Sequence, residues 1–115
     1  MICDVAIVGA GPVGLALANL LGQYGLSVQL LERQPDPYPL PRAIHFDGEV
    51  MRIFQQAGCA ASILPHTHLG VGMKFLAPDG AVLVDWSRDP AIGPMGWHES
   101  YRYFQPGLEA ALPRG

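Results

Sequence analysis

Positive charge is scarce in this chain: seven Lys and Arg against ten Asp and Glu in 115 residues give a formal net charge of -3. No polybasic stretch is available to neutralise phosphates along a duplex, so nucleic acid is excluded as an expected partner. Cysteine is as sparse. Cys3 and Cys59 fit no metal or redox spacing, and two isolated thiols suit a reducing cytoplasm rather than a disulfide scaffold. Both are expected as small buried hydrophobes. His66 and His68 form a His-x-His pair on an expected loop with no third ligand nearby in sequence, so no metal site is expected. Charge is missing altogether from residues 5–31, yet this run resembles neither a signal peptide nor a membrane span. It is preceded by Asp4 rather than by a basic residue, and Gly9, Gly11, Pro12 and Gly14 interrupt it. Half of the residues are hydrophobic, which argues against disorder. The chain is long enough for one domain at most with a modest core, and is expected to be soluble and cytoplasmic.

The uncharged run itself carries the clearest chemistry. Residues 5–8, Val-Ala-Ile-Val, read as a short buried parallel strand, and Gly9, Gly11 and Gly14 then form GxGxxG and open a helix. The first glycine allows the tight turn, the second lets a pyrophosphate approach the backbone, and the third lets helix and strand pack closely. Pro12 stands where an early helix position tolerates proline. The helix is expected to run to about Tyr24, with Gly25 ending it. Its apolar residues go nearly all round, which predicts burial on every side. Residues 27–31 form a second apolar strand. Glu32 follows, 18 residues beyond Gly14, where a βαβ unit places a carboxylate on ribose hydroxyls; a 2′-phosphate would be repelled there, which favours FAD or NAD over NADP. Arg33 is either a solvated strand-end arginine or a second nucleotide contact.

Four prolines in residues 34–41 make a stiff extended linker or lid. Asp47 is a good N-cap for a helix over residues 48–57, with Val50, Met51, Ile53, Phe54 and Ala57 on one face and Gly58 closing it. Residues 59–70 are expected as a short helical turn and a loop. Residues 71–77 and 81–86 flank Pro78-Asp79-Gly80, the signal of an antiparallel hairpin on a type I turn. Parallel neighbours need crossovers, so this hairpin belongs to a second sheet. Residues 87–99, with Trp97 and His98, read as a surface loop. Residues 101–104 read as a strand, and Pro106 at the first helical position puts Gln105 at an N-cap, its amide at a helix mouth. The fold class is therefore α/β, a Rossmann-like βαβ start with an incomplete parallel sheet and an antiparallel hairpin of a second sheet. Its segments are 1–33, 34–70, 71–99 and 100–115.

Taken together, Asp4-Val-Ala-Ile-Val-Gly-Ala-Gly-Pro-Val-Gly-Leu15, Leu31-Glu-Arg33, Pro41-Arg-Ala-Ile44, Met73-Lys-Phe-Leu-Ala-Pro-Asp-Gly80 and Gln105-Pro-Gly-Leu-Glu109 make the chain resemble the N-terminal part of the class A flavoprotein aromatic hydroxylases. Within them it is most similar to the 3-(3-hydroxyphenyl)propionate hydroxylases. The resemblance implies FAD as the cofactor, with Gly9, Gly11, Pro12 and Gly14 along its pyrophosphate and Glu32 on the adenosine ribose. It also implies Arg33 near the adenosine, Arg42 reaching the FAD from the linker, and Gln105 approaching the ribityl chain. The hairpin would begin the sheet that carries the substrate pocket. For the family it implies that NADH or NADPH reduces the flavin, which captures dioxygen as a hydroperoxide and hydroxylates a phenolic aromatic acid; the cofactor carries that chemistry.

No acid or base is assigned. His45, beside Arg42, is the best placed of the four histidines, but a packed or solvated role is preferred for it. The family's later Gly-Asp segment, substrate domain and remaining core strands are not among these residues, so a chain ending at Gly115 is expected to bind FAD weakly and to be inactive by itself. Two other readings keep the cradle: an NAD-binding segment of a dehydrogenase, and a nucleotide-binding module without chemistry. The antiparallel hairpin, where a third βα unit should follow, counts against the dehydrogenase.

Overall fold

The computed structural model describes residues 2–113; Gly115, the expected end of the last segment, lies outside them. Strand β1 (Val5–Val8) pairs in parallel with β2 (Val28–Leu31), Val5 opposite Val28 and Val8 opposite Leu31. Helix α1 (Pro12–Gln23) makes the crossover between them, with Pro12 in its first turn as expected. It ends at Tyr24, and Gly25 follows at φ 77°, donating its N–H to Gly22 O; left-handed backbone of this kind is open to glycine at little cost. The far end of the unit is closed by Asp4, whose Oδ2 accepts from Ser27 N (2.8 Å) and Ser27 Oγ (2.6 Å). Those bonds, the side-chain hydroxyl first, hold the Asp4 carboxyl below its ordinary range.

A second, antiparallel sheet has β7 (Ser100–Tyr103) at its centre, flanked by β3 (His45–Asp47) and β4 (Thr67–Leu69). Neither flanking strand is visible in the hydrophobic pattern. Residues 42–46 show no period and residues 64–68 read as loop, because three-residue strands are too short to display alternation and form only when a partner edge is present. Between them run α2 (Gly48–Gln56), capped as expected by Asp47 Oδ1 on Val50 N at 3.0 Å, then α3 (Ala60–Ile63) and a 3₁₀ turn at Leu64–His66. Helix α4 (Gln105–Ala111) follows β7.

The core lies where this sheet meets the helices. Phe46 stacks on Tyr101 (5.3 Å between centroids) and meets Phe54 edge-on (5.5 Å), while Leu15, Met51, Ile63, Leu108 and Leu112 are almost wholly buried around them. Cys59 belongs to this core as expected, but Cys3 is only half-buried. The loop 87–99 is tied down more firmly than a surface loop: Trp97 Nε1 donates to Gln55 Oε1 at 2.9 Å and His98 N to Tyr101 Oη at 3.0 Å.

The hairpin forms as read. β5 (Gly72–Leu76) and β6 (Val82–Ser87) pair Met73 with Trp86 and Phe75 with Val84, across a turn closed by Gly80 N on Ala77 O at 2.9 Å. It is a separate two-stranded sheet, exposed along the whole of β6. The chain's radius of gyration, 16.7 Å, exceeds the roughly 13 Å of a compact domain of this length.

Burial departs from the sequence reading in the parallel unit. Only Ile7 of β1 is buried, Val8 being 86% exposed; in α1 only Leu15 and Ala16 are buried, and Val13 is 82% exposed. An apolar stripe is buried only where a partner surface meets it, and the described residues cover one side of α1. No helix among the described residues is long and apolar enough to cross a membrane.

Stability should therefore track the α2–β7 core. Met51→Ala is expected to cost about 2–5 kcal/mol in urea unfolding, whereas Val84→Thr on the exposed hairpin should change it by less than about 1 kcal/mol.

Candidate functional site

Gly9 turns the chain out of β1 at φ 106°, its N–H donating to Leu31 O at 2.7 Å. Gly14 is where helix and turn touch: a methyl group there would overlap the carbonyl oxygen of Gly9, so only glycine lets α1 approach this closely. Gly11 has no neighbour within 4 Å of where a Cβ would stand. A side chain at this position would fill open space in front of the helix, not pack against protein.

Behind that space α1 begins without a side-chain cap and without an acid in its first turn. Leu15 N makes the first bond back, to Gly11 O at 2.9 Å. The N–H groups of Val13 and Gly14 precede that first bond and stand at the positive end of the helix dipole, an arrangement suited to a phosphate.

Glu32, at the end of β2, closes the other wall. Its Oε2 accepts from Ala10 N at 2.8 Å and its Oε1 from Gln34 N at 2.9 Å. The Ala10 bond first, then the Gln34 bond, keep the carboxyl below its ordinary value of 4.5. A carboxylate has about four acceptor sites, so ribose hydroxyls can still be received.

The linker forms the third wall. Gln105 Oε1 accepts from Arg42 N (2.9 Å) and Ala43 N (3.0 Å), while its Nε2 donates to Glu109 Oε1 at 2.7 Å. Gln105 is thus in the first turn of α4, with Phe104 at the N-cap position, one residue from the sequence reading. Its amide does not stand free at a helix mouth, because both ends of it are engaged. The Arg42 guanidinium lies over the Tyr38 ring, 4.1 Å from the centroid.

These walls enclose a cavity of about 690 Å³ lined by Gly11, Pro12, Glu32, Arg33, Arg42 and Gln105, with Tyr38 and Glu109. Gly9 and Gly14 shape it from behind without lining it. A second cavity, about 600 Å³ beside the second half of α1 and β2, is lined by Asn19, Gln23 and Gln29 among apolar residues and holds no charged side chain. Only the first carries charged side chains, Arg33 and Arg42 together with the acids Glu32, Asp36 and Glu109. An open face at Gly11, unpartnered helix N–H groups, an acid and two arginines fit FAD.

Residues 2–112 match the family model described as FAD binding domain. The chain belongs to that family. FAD is accordingly the cofactor of this domain, and the dehydrogenase reading with NAD is set aside. The FAD binding domain is 49% identical over 109 residues to a probable NADH-specific resorcinol 4-hydroxylase of Rhodococcus jostii, covering 95% of this chain and 20% of that protein. It is 41% identical over 112 residues to a 3-(3-hydroxy-phenyl)propionate/3-hydroxycinnamic acid hydroxylase of Klebsiella pneumoniae, covering 97% of this chain and again 20% of the relative. The chain thus spans about a fifth of the length of these relatives. Among solved structures, p-nitrophenol 4-monooxygenase from Pseudomonas putida superposes with a TM-score of 0.79 at 23% identity, covering 96% of this chain and 28% of that one. Aklavinone-11 hydroxylase, solved with FAD and aklavinone, gives 0.72 at 26% identity, covering 96% of this chain and 23% of that one.

The sequence reading missed Tyr38 and Glu109. Glu109 had a signal: it lies four residues after Gln105 on one helix, the spacing at which side chains meet. It is 6% exposed, and after burial its charge is the second cause that raises the Tyr103 phenol. Tyr38 had none, since the linker has no period. His45, the preferred histidine, is packed against Ser100 Oγ through Nε2 at 2.8 Å, outside the cavity. His66 and His68 are not joined by a third metal-ligating side chain among the described residues.

Because its folded pKa is lowered, the Glu32 tether is fully formed above 4.5 and is lost as pH falls through the lower folded value. The Ala10 and Gln34 amide proton resonances should therefore titrate together, with a midpoint below 4.5. Gln105→Leu would leave the Glu109 carboxylate and two linker amides without their partner and should destabilise the chain by about 1–3 kcal/mol. Glu109→Gln keeps an acceptor for the Gln105 amide and should be milder by urea unfolding.

Proposed function

We propose that this chain holds the adenosine and pyrophosphate half of FAD in a flavoprotein monooxygenase that hydroxylates a phenolic aromatic acid, using NADH or NADPH and dioxygen. The observation that carries the reading is the convergence of Gly11, Pro12, Glu32, Arg33, Arg42 and Gln105 on one cavity at the mouth of α1. The relatives' names, a resorcinol hydroxylase and a hydroxyphenylpropionate hydroxylase, support a phenol ring as the acceptor of oxygen.

Each residue then has a physical task. The N–H groups of Val13 and Gly14 receive the pyrophosphate, and the bare backbone at Gly11 lets it come close. Glu32 accepts from the adenosine ribose while repelling a 2′-phosphate. Arg33 and Arg42 add fixed positive charge on two sides. Gln105 serves through the linker: by accepting from Arg42 N and Ala43 N it sets where the arginine stands. FAD, when bound, supplies the electron transfer and oxygen chemistry, for which no side chain here substitutes. The work belongs in the cytoplasm, where reduced nicotinamide and free thiols coexist.

The chain alone offers an open cradle over two parallel strands, so weak FAD binding and no hydroxylation are expected of it. Titration of FAD fluorescence tests both points. Gly11→Asp adds a negative charge into open space without a packing clash and should weaken FAD by on the order of tenfold or more. Unchanged affinity would overturn the cradle assignment, and stoichiometric flavin with NAD(P)H oxidase activity in the isolated chain would overturn the expected inactivity.

A further inference from the structure

We propose that Tyr38 is a positioning residue for Arg42. Its ring holds the guanidinium at the cavity without using the N–H donors, keeps the arginine off neighbouring carboxylates, and so leaves it available to a pyrophosphate. The proposal rests on the FAD reading above and deepens it.

The cavity holds more acid than base. Glu32, Asp36 and Glu109 line it against Arg33 and Arg42, so an arginine with a free head has carboxylates to fall on. A guanidinium paired with a carboxylate has its charge offset and its paired donors taken up. Among the described residues Arg42 makes no such pair, the one ion pair being Lys74 with Asp85 on the hairpin. Glu32 and Glu109 are already engaged by N–H donors from Ala10, Gln34 and Gln105. Asp36, two residues before Tyr38, is the competitor that remains.

What holds Arg42 instead is an uncharged ring. The guanidinium carbon lies 4.1 Å from the Tyr38 centroid, a contact in which the attraction comes from the ring quadrupole. Contact through a π face takes up none of the five N–H donors of the arginine. A carboxylate in the same place would attract the arginine more strongly and occupy those donors. A neutral holder therefore suits a side chain that has to present its N–H groups to a phosphate.

Tyr38 is itself constrained by its neighbours. It stands between Pro37 and Pro39, and a residue that precedes proline is restricted to extended backbone. The chain then bends at residues 39 and 40, and the Arg42 backbone N–H donates to Gln105 Oε1 at 2.9 Å. Arg42 is thus held at both ends, by Gln105 at its backbone and by Tyr38 at its head. Ordering a long side chain before the ligand arrives lowers the entropy cost of binding. Tyr38 is 47% exposed and is no part of the core, so its replacement leaves the packing of the fold intact.

The test uses the full chain, with ADP and adenosine as probes beside FAD, and follows the Arg42 Nε–H resonance together with binding. In the wild type the ring current of Tyr38 should move that resonance upfield. Tyr38→Phe should keep both the shift and the affinity, and Tyr38→Leu should lose the shift. ADP and FAD should bind Tyr38→Leu about three- to fivefold more weakly, the effect of losing an exposed cation–π contact, with adenosine binding and the urea midpoint unchanged. Asp36→Asn should recover more affinity beside Tyr38→Leu than in the wild type. In an Arg42→Gln background Tyr38→Leu should have no further effect, since the two residues act as one unit. Equal losses for adenosine and ADP, additivity with Arg42→Gln, a Phe variant as weak as the Leu variant, or undiminished ADP binding by Tyr38→Leu would each overturn the assignment. Wild-type binding of FAD and ADP with no response to the Tyr38 changes defeats this inference alone, and a wild type that binds neither defeats the cradle reading on which it rests.

Discussion

The close approach of α1 to the Gly9 turn is the constraint on which the remaining structure depends. Gly14 admits it because nothing beyond a hydrogen can stand between the helix and the Gly9 carbonyl. That contact aims the uncapped start of α1 along the cavity rather than into protein. Glu32 then ties the same turn from β2 through Ala10, so the turn is held on one side by packing and on the other by a charged hydrogen bond. The three glycines have three distinct tasks. Gly9 supplies a backbone angle, Gly14 a close contact and Gly11 an unobstructed face.

A second hub joins this cradle to the antiparallel sheet. Gln105 sits at the start of α4, immediately after β7, and accepts from two linker amides that precede β3. Its orientation is not arbitrary: Glu109 accepts from the amide nitrogen, which leaves only the oxygen for the linker. One buried acid therefore decides which way an amide faces, and the amide decides where Arg42 stands. Tyr38 completes the arrangement by stacking under the guanidinium. The proline-rich linker is thus pinned at its far end, with its aromatic residue put to use.

The apolar surface is unevenly shared. One side of α1, the three helices after it and the inner face of the β7 sheet make a dense aromatic and aliphatic core. Val8, Val13 and most of the hairpin remain open. The hairpin holds its shape through its ladder and its turn, with Asp79 Oδ1 accepting from Ala81 N beside Gly80, so local chemistry suffices for it even where burial is slight. The parallel pair is kept in register by the helix that joins its strands and by the Asp4–Ser27 bonds at its base.

How much of this was legible in the residues divides along the range of the interactions. The sequence by itself determined the elements whose cause is local: the glycine turn with Pro12 after it, Gly25 ending α1, Asp47 capping α2, and the Pro-Asp-Gly hairpin. Each depends on residues within a few positions of one another, which a linear reading can see. It also drew attention to Glu32, which stands at a distance set by one βαβ crossover and lines the cavity. Only the tertiary structure decided the rest. β3 and β4 exist because β7 offers them edges, from residues more than thirty positions away. Gln105 turned from a free helix-mouth amide into a clamp because the linker amides fold back onto it. His45, Arg102 and His68 come into register from three separate segments, and the faces of α1 that stay exposed reflect which surfaces meet it. Hydrophobic pattern states what a segment can bury, and long-range packing decides what it does bury.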